Sequence, residues 1–157
     1  MSILETRRQL WPDEAACAAS AAALAQRPGI HKAYIELRGP LGAGKTTFAR
    51  HLLQALGVTG RVKSPTYAVM EPYALADASS TRMIWHFDFY RFDDPQEWED
   101  AGFRDVFAST GLKLAEWPEK AEGLLPVADL VIRIEPREAE QRAVELNAHT
   151  KLGRGLL

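Results

Sequence analysis

A glycine-rich run in the first third of the chain carries the clearest chemical pattern. Residues Gly39–Thr46 read GPLGAGKT and fit the pattern G-x-x-x-x-G-K-[ST]. Glycines let the backbone curl, so that successive N–H groups point inward and can bind a polyphosphate. Lys45 would supply a mobile cation for the outer phosphates, and the Thr46 hydroxyl would bind Mg²⁺. The run predicts a phosphate-binding loop, with a simple glycine-rich turn as the alternative.

The segments on either side of the run favour the phosphate-loop interpretation. Lys32–Arg38 is short and β-rich, and Thr46–Leu56 carries apolar residues at helical spacing. We therefore predict a strand before the loop and a helix after it. A lysine in the first turn of a helix opposes the helix dipole, so Lys45 is better explained if it faces an anion.

Two carboxylates at the ends of predicted strands are candidates for a metal site. Asp88 lies in the apolar run Met83–Phe89, where an unpaired carboxylate is costly to bury. Glu116 stands near the end of the predicted strand Leu112–Trp117. A phosphate loop needs such an acid to hold Mg²⁺, directly or through water. As alternatives, Asp88 pairs with Arg91 or caps a turn, and Glu116 is a surface acid.

Three further residues could take part in the chemistry. Thr66 ends an SPT sequence after the predicted helix, where a threonine in many nucleotide switches meets the metal and the terminal phosphate. A proline turn capped by hydroxyls is the alternative. His86 shares a strand face with Asp88 and could position water or bond that acid, or be an ordinary core histidine. Trp117 could stack on a base or a partner, or be a half-buried core residue.

The rest of the chain supplies the elements that position these residues. We predict a helix at Glu14–Gln26 capped by Asp13, a strand at 67–71 and an exposed turn at 76–81. A short helix should run from Asp94 to about Ala101, and a second helix should follow it to Ala108. An antiparallel strand pair is predicted at Asp129–Glu135 and Ala143–Ala148. This order predicts one α/β domain over residues 1–157, with a mixed, mostly parallel sheet and helices on both faces. The tail from about Thr150 is expected to be frayed.

The composition excludes several classes of protein. With 157 residues, 46% hydrophobic, 25% charged and a net charge of −2, the chain is typical of one globular domain and lacks an overall basic field for binding nucleic acid. No apolar run approaches the ~20 residues of a membrane span. Acidic Asp13 and Glu14 before the alanine-rich stretch argue against a signal peptide, so we expect a cytoplasmic protein. The single cysteine, Cys17, excludes an internal disulfide and is expected in the core.

Taken together, these motifs resemble the TsaE family (also called YjeE), small bacterial P-loop ATPases of tRNA modification. The matching stretches are GPLGAGKTTFAR, VKSPTYAVMEPY, HFDFYRFDDPQEWEDAGFRDVF and LAEWPEK. With the opening WPDEAA and the LLPVADLVI segment, the resemblance covers nearly all of residues 11–135. LGAGKTT alone is common among P-loop proteins, whereas the ordered set of LGAGKTT, SPT, HxDxYR and EWP is specific.

The resemblance implies a function that the composition does not show. Such proteins act with a TsaB–TsaD heterodimer in making N6-threonylcarbamoyladenosine at position 37 of tRNA. They bind ATP with Mg²⁺, hydrolyse it slowly, and reset or activate the complex between turnovers. The resemblance implies contact with tRNA only through that complex, and no partnership with DNA or a membrane.

The resemblance also implies roles for particular residues. Thr46 and Glu116 would bind Mg²⁺, with Asp88 close to the metal and the attacking water. The catalytic set would be Lys45, Thr66, Asp88 and Glu116. The nucleotide would contact Asp13, Glu14, Gly39, Leu41, Gly42, Ala43, Gly44, Lys45, Thr46, Thr47 and Trp117.

Two other functions remain open at this stage. A small-molecule kinase would need an acceptor pocket and an arginine-bearing lid, and no insertion of that length is visible. A nucleotide-dependent switch without hydrolysis would need only the loop. The guanine-reading pattern [NT]-K-x-D is absent, which favours ATP over GTP. No glutamine or arginine finger is evident, so we expect slow turnover without a partner.

Overall fold

The computed structural model describes residues 2–62, 69–76 and 81–157. Its strands are β1 (Glu5–Trp11), β2 (Tyr34–Arg38), β3 (Met70–Ala76), β4 (Thr81–Asp88), β5 (Leu112–Glu116), β6 (Leu130–Pro136) and β7 (Arg142–Ala148). Its helices are α1 (Glu14–Ala25), α2 (Lys45–Ala55), α3 (Pro95–Asp100), α4 (Phe103–Ala108) and α5 (Lys151–Arg154), with 3₁₀ turns at Ile30–Lys32 and Pro118–Ala121.

The strands form one seven-stranded sheet in the order β1-β7-β6-β2-β5-β4-β3. The central strands β6, β2, β5 and β4 pair in parallel, whereas β7 and β3 run against their neighbours. The predicted α/β class, with a mixed and mostly parallel sheet, is confirmed. Because β7 is antiparallel to β6, its first residue, Arg142, lies opposite Pro136, where β6 ends.

Helices cover both faces of the sheet, as predicted. On one face, Ile35 and Leu37 of β2 belong to a core that includes buried residues of α1 and α2. On the other face, Phe87 of β4 packs against Phe103 of α4, which also packs against Trp98 of α3, in a largely aromatic core. Full burial of each such apolar side chain contributes about 1.5–3 kcal/mol, so the two cores hold the strand ends in fixed positions.

Local signals explain where the helices begin. The Asp13 side chain accepts the Ala16 N–H at 2.9 Å and caps α1, and Asp94 caps α3 through the Gln96 N–H at 2.9 Å. Cys17 lies on the buried face of α1, and burial raises the pKa of its thiol to about 11. The thiol is therefore protonated near neutral pH, in agreement with a core residue.

The C-terminal tail corrects one prediction. The segment from Thr150 is not frayed, because it forms α5 and docks on the core. The Thr150 hydroxyl donates to Asp129 Oδ1 at 2.7 Å and accepts the Gly153 N–H at 3.0 Å. Leu156 is only 3% exposed, so the last residues are held by both burial and hydrogen bonds.

One strand was not predicted, and another continues beyond its predicted end. Strand β1 was not anticipated, because its sequence ETRRQLW is mostly exposed and shows no alternation of apolar residues. Strand β3 (Met70–Ala76) continues past the predicted end at Glu71, through Pro72 to Ala76. It is an edge strand, where a proline that lacks an N–H is tolerated. Residues 63–68 and 77–80, which contain parts of the predicted strand and turn, lie outside the described residues.

Among the described residues the longest helix is α1, with 12 residues, and no helix has the length and apolar content needed to cross a membrane.

Candidate functional site

The glycine-rich loop joins the end of β2 to the start of α2, which is the predicted strand–loop–helix context. Gly39, Gly42 and Gly44 have φ values of +150°, +79° and +105°. At Gly39 a side chain is also excluded by space, because a Cβ would lie 2.3 Å from the Ile134 carbonyl oxygen. The glycines therefore permit a curled backbone, and the loop leads into the positive N-terminal end of α2.

Lys45 lies within this loop with most of its surface covered. It is 5% exposed, and its ammonium group donates to the carbonyl oxygens of Gly39 and Pro40. The Nζ atom lies 3.7 Å from the centroid of the Trp117 ring. Burial lowers the pKa of Lys45, and nearby carboxylates, first Glu116, oppose that shift. An ammonium group in this position is well placed to bind a polyanion in addition to its present neighbours.

Strand pairing brings the two candidate carboxylates together. In the parallel pairing of β4 with β5, Asp88 lies opposite Glu116. The Thr46 hydroxyl donates to Glu116 Oε1 at 2.7 Å, which joins the start of α2 to the end of β5. The second oxygen of Glu116 is 2.7 Å from His86 Nε2, and that contact is buried. His86 therefore pairs with Glu116 in this structure, rather than with the Asp88 partner considered from the sequence.

Asp88 has a different environment from Glu116. It is 5% exposed, and its Oδ1 accepts the Tyr90 N–H at 2.9 Å. Burial raises the pKa of Asp88, and the hydrogen bond from Tyr90 opposes that effect. A carboxylate with a raised pKa takes up a proton more readily than an exposed carboxylate does. This property suits a group that accepts a proton from water.

The oxygen atoms of Thr46, Asp88 and Glu116 are the type of donor that Mg²⁺ prefers. No group of three His, Cys, Asp or Glu side chains suited to a metal occurs in the part of the chain that the structure describes. A cation at this place would therefore complete its coordination with phosphate oxygens and water, as is usual in phosphate-loop proteins.

A cleft of about 530 Å³ opens over the loop. Its lining consists of Leu41, Gly42, Ala43, Gly44, Lys45, Thr46, Thr47, Asp88, Tyr90, Arg91, Glu116, Trp117 and Arg142. Most of the predicted site residues thus share one cleft. Gly39 does not line it and instead supports the loop from beneath, through the carbonyl oxygen that Lys45 contacts.

Three predicted site residues need separate mention. Asp13 and Glu14 do not line the cleft; they border a smaller cavity of about 140 Å³, which shares Ala43, Gly44, Thr47 and Arg142 with it. Thr66 lies outside the described residues.

Trp117 follows β5 with a φ of +55°, which is unusual for a residue with a side chain. Its ring packs edge-on against Tyr90, with centroids 5.0 Å apart. Pro118 begins a 3₁₀ turn directly after it. The turn and the Tyr90 contact hold the indole beside Lys45, so the ring forms one wall of the cleft.

Three residues of the cleft, Tyr90, Arg91 and Arg142, were not among the predicted site residues. Tyr90 lies two residues after Asp88 and supplies both a backbone N–H and a ring contact. Arg142 comes from β7, distant in sequence, and only the order of strands in the sheet brings it to the loop. Tyr90 could have been found from its place directly after the strand that carries Asp88, whereas Arg142 has no local signal.

The mixed sheet with its parallel centre, the glycine loop with its three positive φ values and the Lys45–Thr46 start of α2 define an α/β protein of the P-loop fold. Its sequence matches the family described as "Threonylcarbamoyl adenosine biosynthesis protein TsaE" over residues 11–144, and the chain belongs to that family.

Individual relatives agree with the family assignment. The chain is 46% identical to the tRNA threonylcarbamoyladenosine biosynthesis protein TsaE of Haemophilus influenzae, over 78% of this chain and 75% of the relative. It is 33% identical to the protein of the same name from Bacillus subtilis, over 90% and 84% of the two chains. The crystal structure of Bacillus subtilis YdiB superposes with a TM-score of 0.74 at 25% identity, covering 99% of this chain and 94% of the other.

Proposed function

We propose that this protein is a slow ATPase that supports a TsaB–TsaD heterodimer in forming threonylcarbamoyladenosine on tRNA. The relatives named above, which carry that pathway in their names, support the choice of pathway. One observation carries the proposal of nucleotide chemistry. The hydrogen bond of 2.7 Å between the Thr46 hydroxyl and Glu116 joins the phosphate-loop helix to an acidic strand end.

In the proposed binding mode, the backbone N–H groups from Gly42 to Thr47 surround the phosphates of ATP. Lys45 turns from the Gly39 and Pro40 carbonyl oxygens toward the outer phosphates and keeps its charge paired. The indole of Trp117 limits the access of water on that side. Asp13 and Glu14 would approach the nucleotide from the smaller cavity on the other side of the loop.

Thr46, Glu116 and Asp88 would hold Mg²⁺, directly or through water. When bound, Mg²⁺ neutralises charge on the phosphate oxygens as it develops. Before binding, Glu116 has one oxygen on the Thr46 hydroxyl and the other on His86, so its carboxylate is fixed in orientation. A carboxylate fixed in this way loses little conformational entropy when it binds a cation.

The hydrolytic step would be attack by water in line with the bond to the γ-phosphoryl group. Asp88 is proposed to orient that water and accept its proton, a role supported by its position opposite Glu116 and by its raised pKa. Lys45 and the loop amides would stabilise the charge that spreads over the phosphoryl oxygens. Thr66 is proposed to close over the terminal phosphate in the manner of a nucleotide switch.

The test is ATP hydrolysis with and without the TsaB–TsaD pair, for the wild type and for Asp88→Ala. We expect slow turnover for the wild type alone, faster turnover with the pair, and loss of most activity in the variant. Asp105→Ala serves as a control, because it removes an exposed acid on α4. Calorimetry with Mg²⁺ and ATP measures binding separately. Failure of the wild type to bind ATP, or equal rates for wild type and Asp88→Ala, would contradict the proposal.

A further inference from the structure

Arg142 contacts the phosphate loop from a part of the chain that the proposed mechanism does not use. It is the first residue of β7 and pairs with Trp11 of β1 and with Pro136 of β6. Its Nε–H donates to the Ala43 carbonyl oxygen at 2.9 Å, and its Nη1 donates to the Gln141 carbonyl oxygen at 3.0 Å. The side chain also lines both the large cleft and the smaller cavity.

The hydrogen bond to the Ala43 carbonyl oxygen also fixes the direction of the Gly44 N–H. The Ala43 C=O and the Gly44 N–H belong to one planar trans peptide, so they point in opposite directions. A donor that holds the carbonyl oxygen on one side therefore turns the Gly44 N–H to the other side. A phosphate loop binds anions only when its N–H groups converge, so the direction of this peptide decides whether one of them contributes.

Local structure alone does not fix that peptide. Gly44 has a φ of +105° and no side chain, and glycine adopts positive and negative φ with similar ease. A Cβ on Gly44 would lie 3.8 Å from the Arg142 Nε atom, so the arginine occupies the space next to this residue. Arg142 is a charged donor, and hydrogen bonds from charged groups are stronger than those between neutral groups.

We propose that Arg142 is a positioning residue that orients the Ala43–Gly44 peptide, so that the Gly44 N–H is ready to bind phosphate. The inference rests on the proposed ATP-binding function and deepens it. Arg142 acts on the phosphate through the loop backbone, and the β6–β7 hairpin is thereby coupled to the state of the phosphate loop.

The experiment compares Arg142→Met, which keeps an aliphatic stem without a donor, with Arg142→Lys, which keeps a charged donor. Arg137→Met is the matched control, because Arg137 is exposed beyond the end of β6 and pairs with Glu135 at 3.2 Å. Calorimetry measures the affinity of each protein for ATP and for tripolyphosphate, both with Mg²⁺. The chemical shift of the Gly44 amide is recorded in the ligand-free proteins.

We expect Arg142→Met to weaken both ligands by the same factor, roughly tenfold, as for loss of one hydrogen bond from a charged donor. The Gly44 amide resonance should move in that variant before any ligand is added. Arg142→Lys should restore part of the affinity and part of the shift, and Arg137→Met should resemble the wild type. Tripolyphosphate has no base or ribose, so an equal loss for both ligands assigns the effect to phosphate binding.

Three results would overturn the inference while leaving the proposed function intact. These are unchanged affinity in Arg142→Met, an affinity loss with the ligand-free Gly44 resonance unmoved, and a loss confined to ATP. If Arg142→Met does not fold, Arg142→Lys decides alone, because wild-type affinity with a shifted Gly44 resonance would contradict the proposed coupling. If the wild type binds neither ligand, the proposed function fails and the inference fails with it.

Discussion

Gly39→Ala tests the close packing beneath the phosphate loop. The added methyl group would lie 2.3 Å from the Ile134 carbonyl oxygen and 3.2 Å from the Ala43 Cβ. The first contact involves backbone on β6, so about 1 Å of movement is needed to restore an ordinary separation. Such overpacking costs about 1–3 kcal/mol, and the φ of +150° adds a further cost of about 1–3 kcal/mol for a residue with a Cβ.

Gly57→Ala is the matched control for this substitution. Gly57 follows α2 with a φ of +108°, and a Cβ there meets nothing within 4 Å. The control therefore includes the conformational cost and excludes the steric one. Urea unfolding of the three proteins gives the free energy of unfolding, with the slope used to check that the transition remains two-state. We expect Gly39→Ala to be about 2–6 kcal/mol less stable than the wild type and Gly57→Ala about 1–3 kcal/mol less stable.

The same substitution should also weaken nucleotide binding. The Gly39 carbonyl oxygen accepts a hydrogen bond from Lys45, so a displaced loop also displaces the ammonium group. Titration with ATP and Mg²⁺ below the unfolding transition should show weaker binding for Gly39→Ala and unchanged binding for Gly57→Ala. Equal stability of the two variants would refute the argument from the Ile134 contact.

Three further results are expected. Lys45→Met should weaken ATP binding by thirtyfold or more, equivalent to about 2 kcal/mol for a desolvated charged contact. The free energy of unfolding should be unchanged or higher, because the substitution removes a buried ammonium group. Burial raises the pKa of Asp88 above its ordinary 3.8, so the contribution of Asp88 to stability falls as the pH rises from 3.8 through the raised pKa. Asp88→Asn removes this loss, so the free energy of urea unfolding of the variant should increase relative to the wild type over that pH range; a constant difference, or one that moves toward the wild type, would contradict this. Thr150→Ala removes the N-terminal cap of α5 and a hydrogen bond to Asp129, so the free energy of unfolding should fall by about 0.5–2 kcal/mol. Amide hydrogen exchange in α5 should become faster, and exchange at the wild-type rate would contradict the assigned role.

Local chemistry made much of the fold predictable. The caps by Asp13 and Asp94 act within a few residues, so the starts of α1 and α3 could be read directly from the sequence. The apolar runs that became β4 and β5 placed Asp88 and Glu116 near the strand ends, and parallel pairing of the two strands brings these residues opposite each other. The glycine loop was predictable because glycine readily adopts the positive φ values that a curled backbone needs, as at Gly39, Gly42 and Gly44.

Features that depend on distant pairing were not predictable. Strand β1 is stabilised by its pairing with β7 rather than by its own apolar pattern. The Thr150 tail is ordered by Asp129, a residue 21 positions away in sequence. His86 finds Glu116 on the neighbouring strand, and Arg142 reaches Ala43 across 99 positions. Each contact follows from the order and register of the strands, which a single sequence does not encode locally.

The contacts of Lys45 have a consequence for how firmly the loop can retain a ligand. Its ammonium group already has the Gly39 and Pro40 carbonyl oxygens and the Trp117 ring as neighbours. An arriving phosphate would have to displace these internal partners, so its net affinity would reflect an exchange of one set of contacts for another. When the phosphate departs, the same groups recapture the cation, and the loop is spared an isolated buried charge. Such an arrangement favours rapid release and keeps the vacated loop folded and ready for the next molecule.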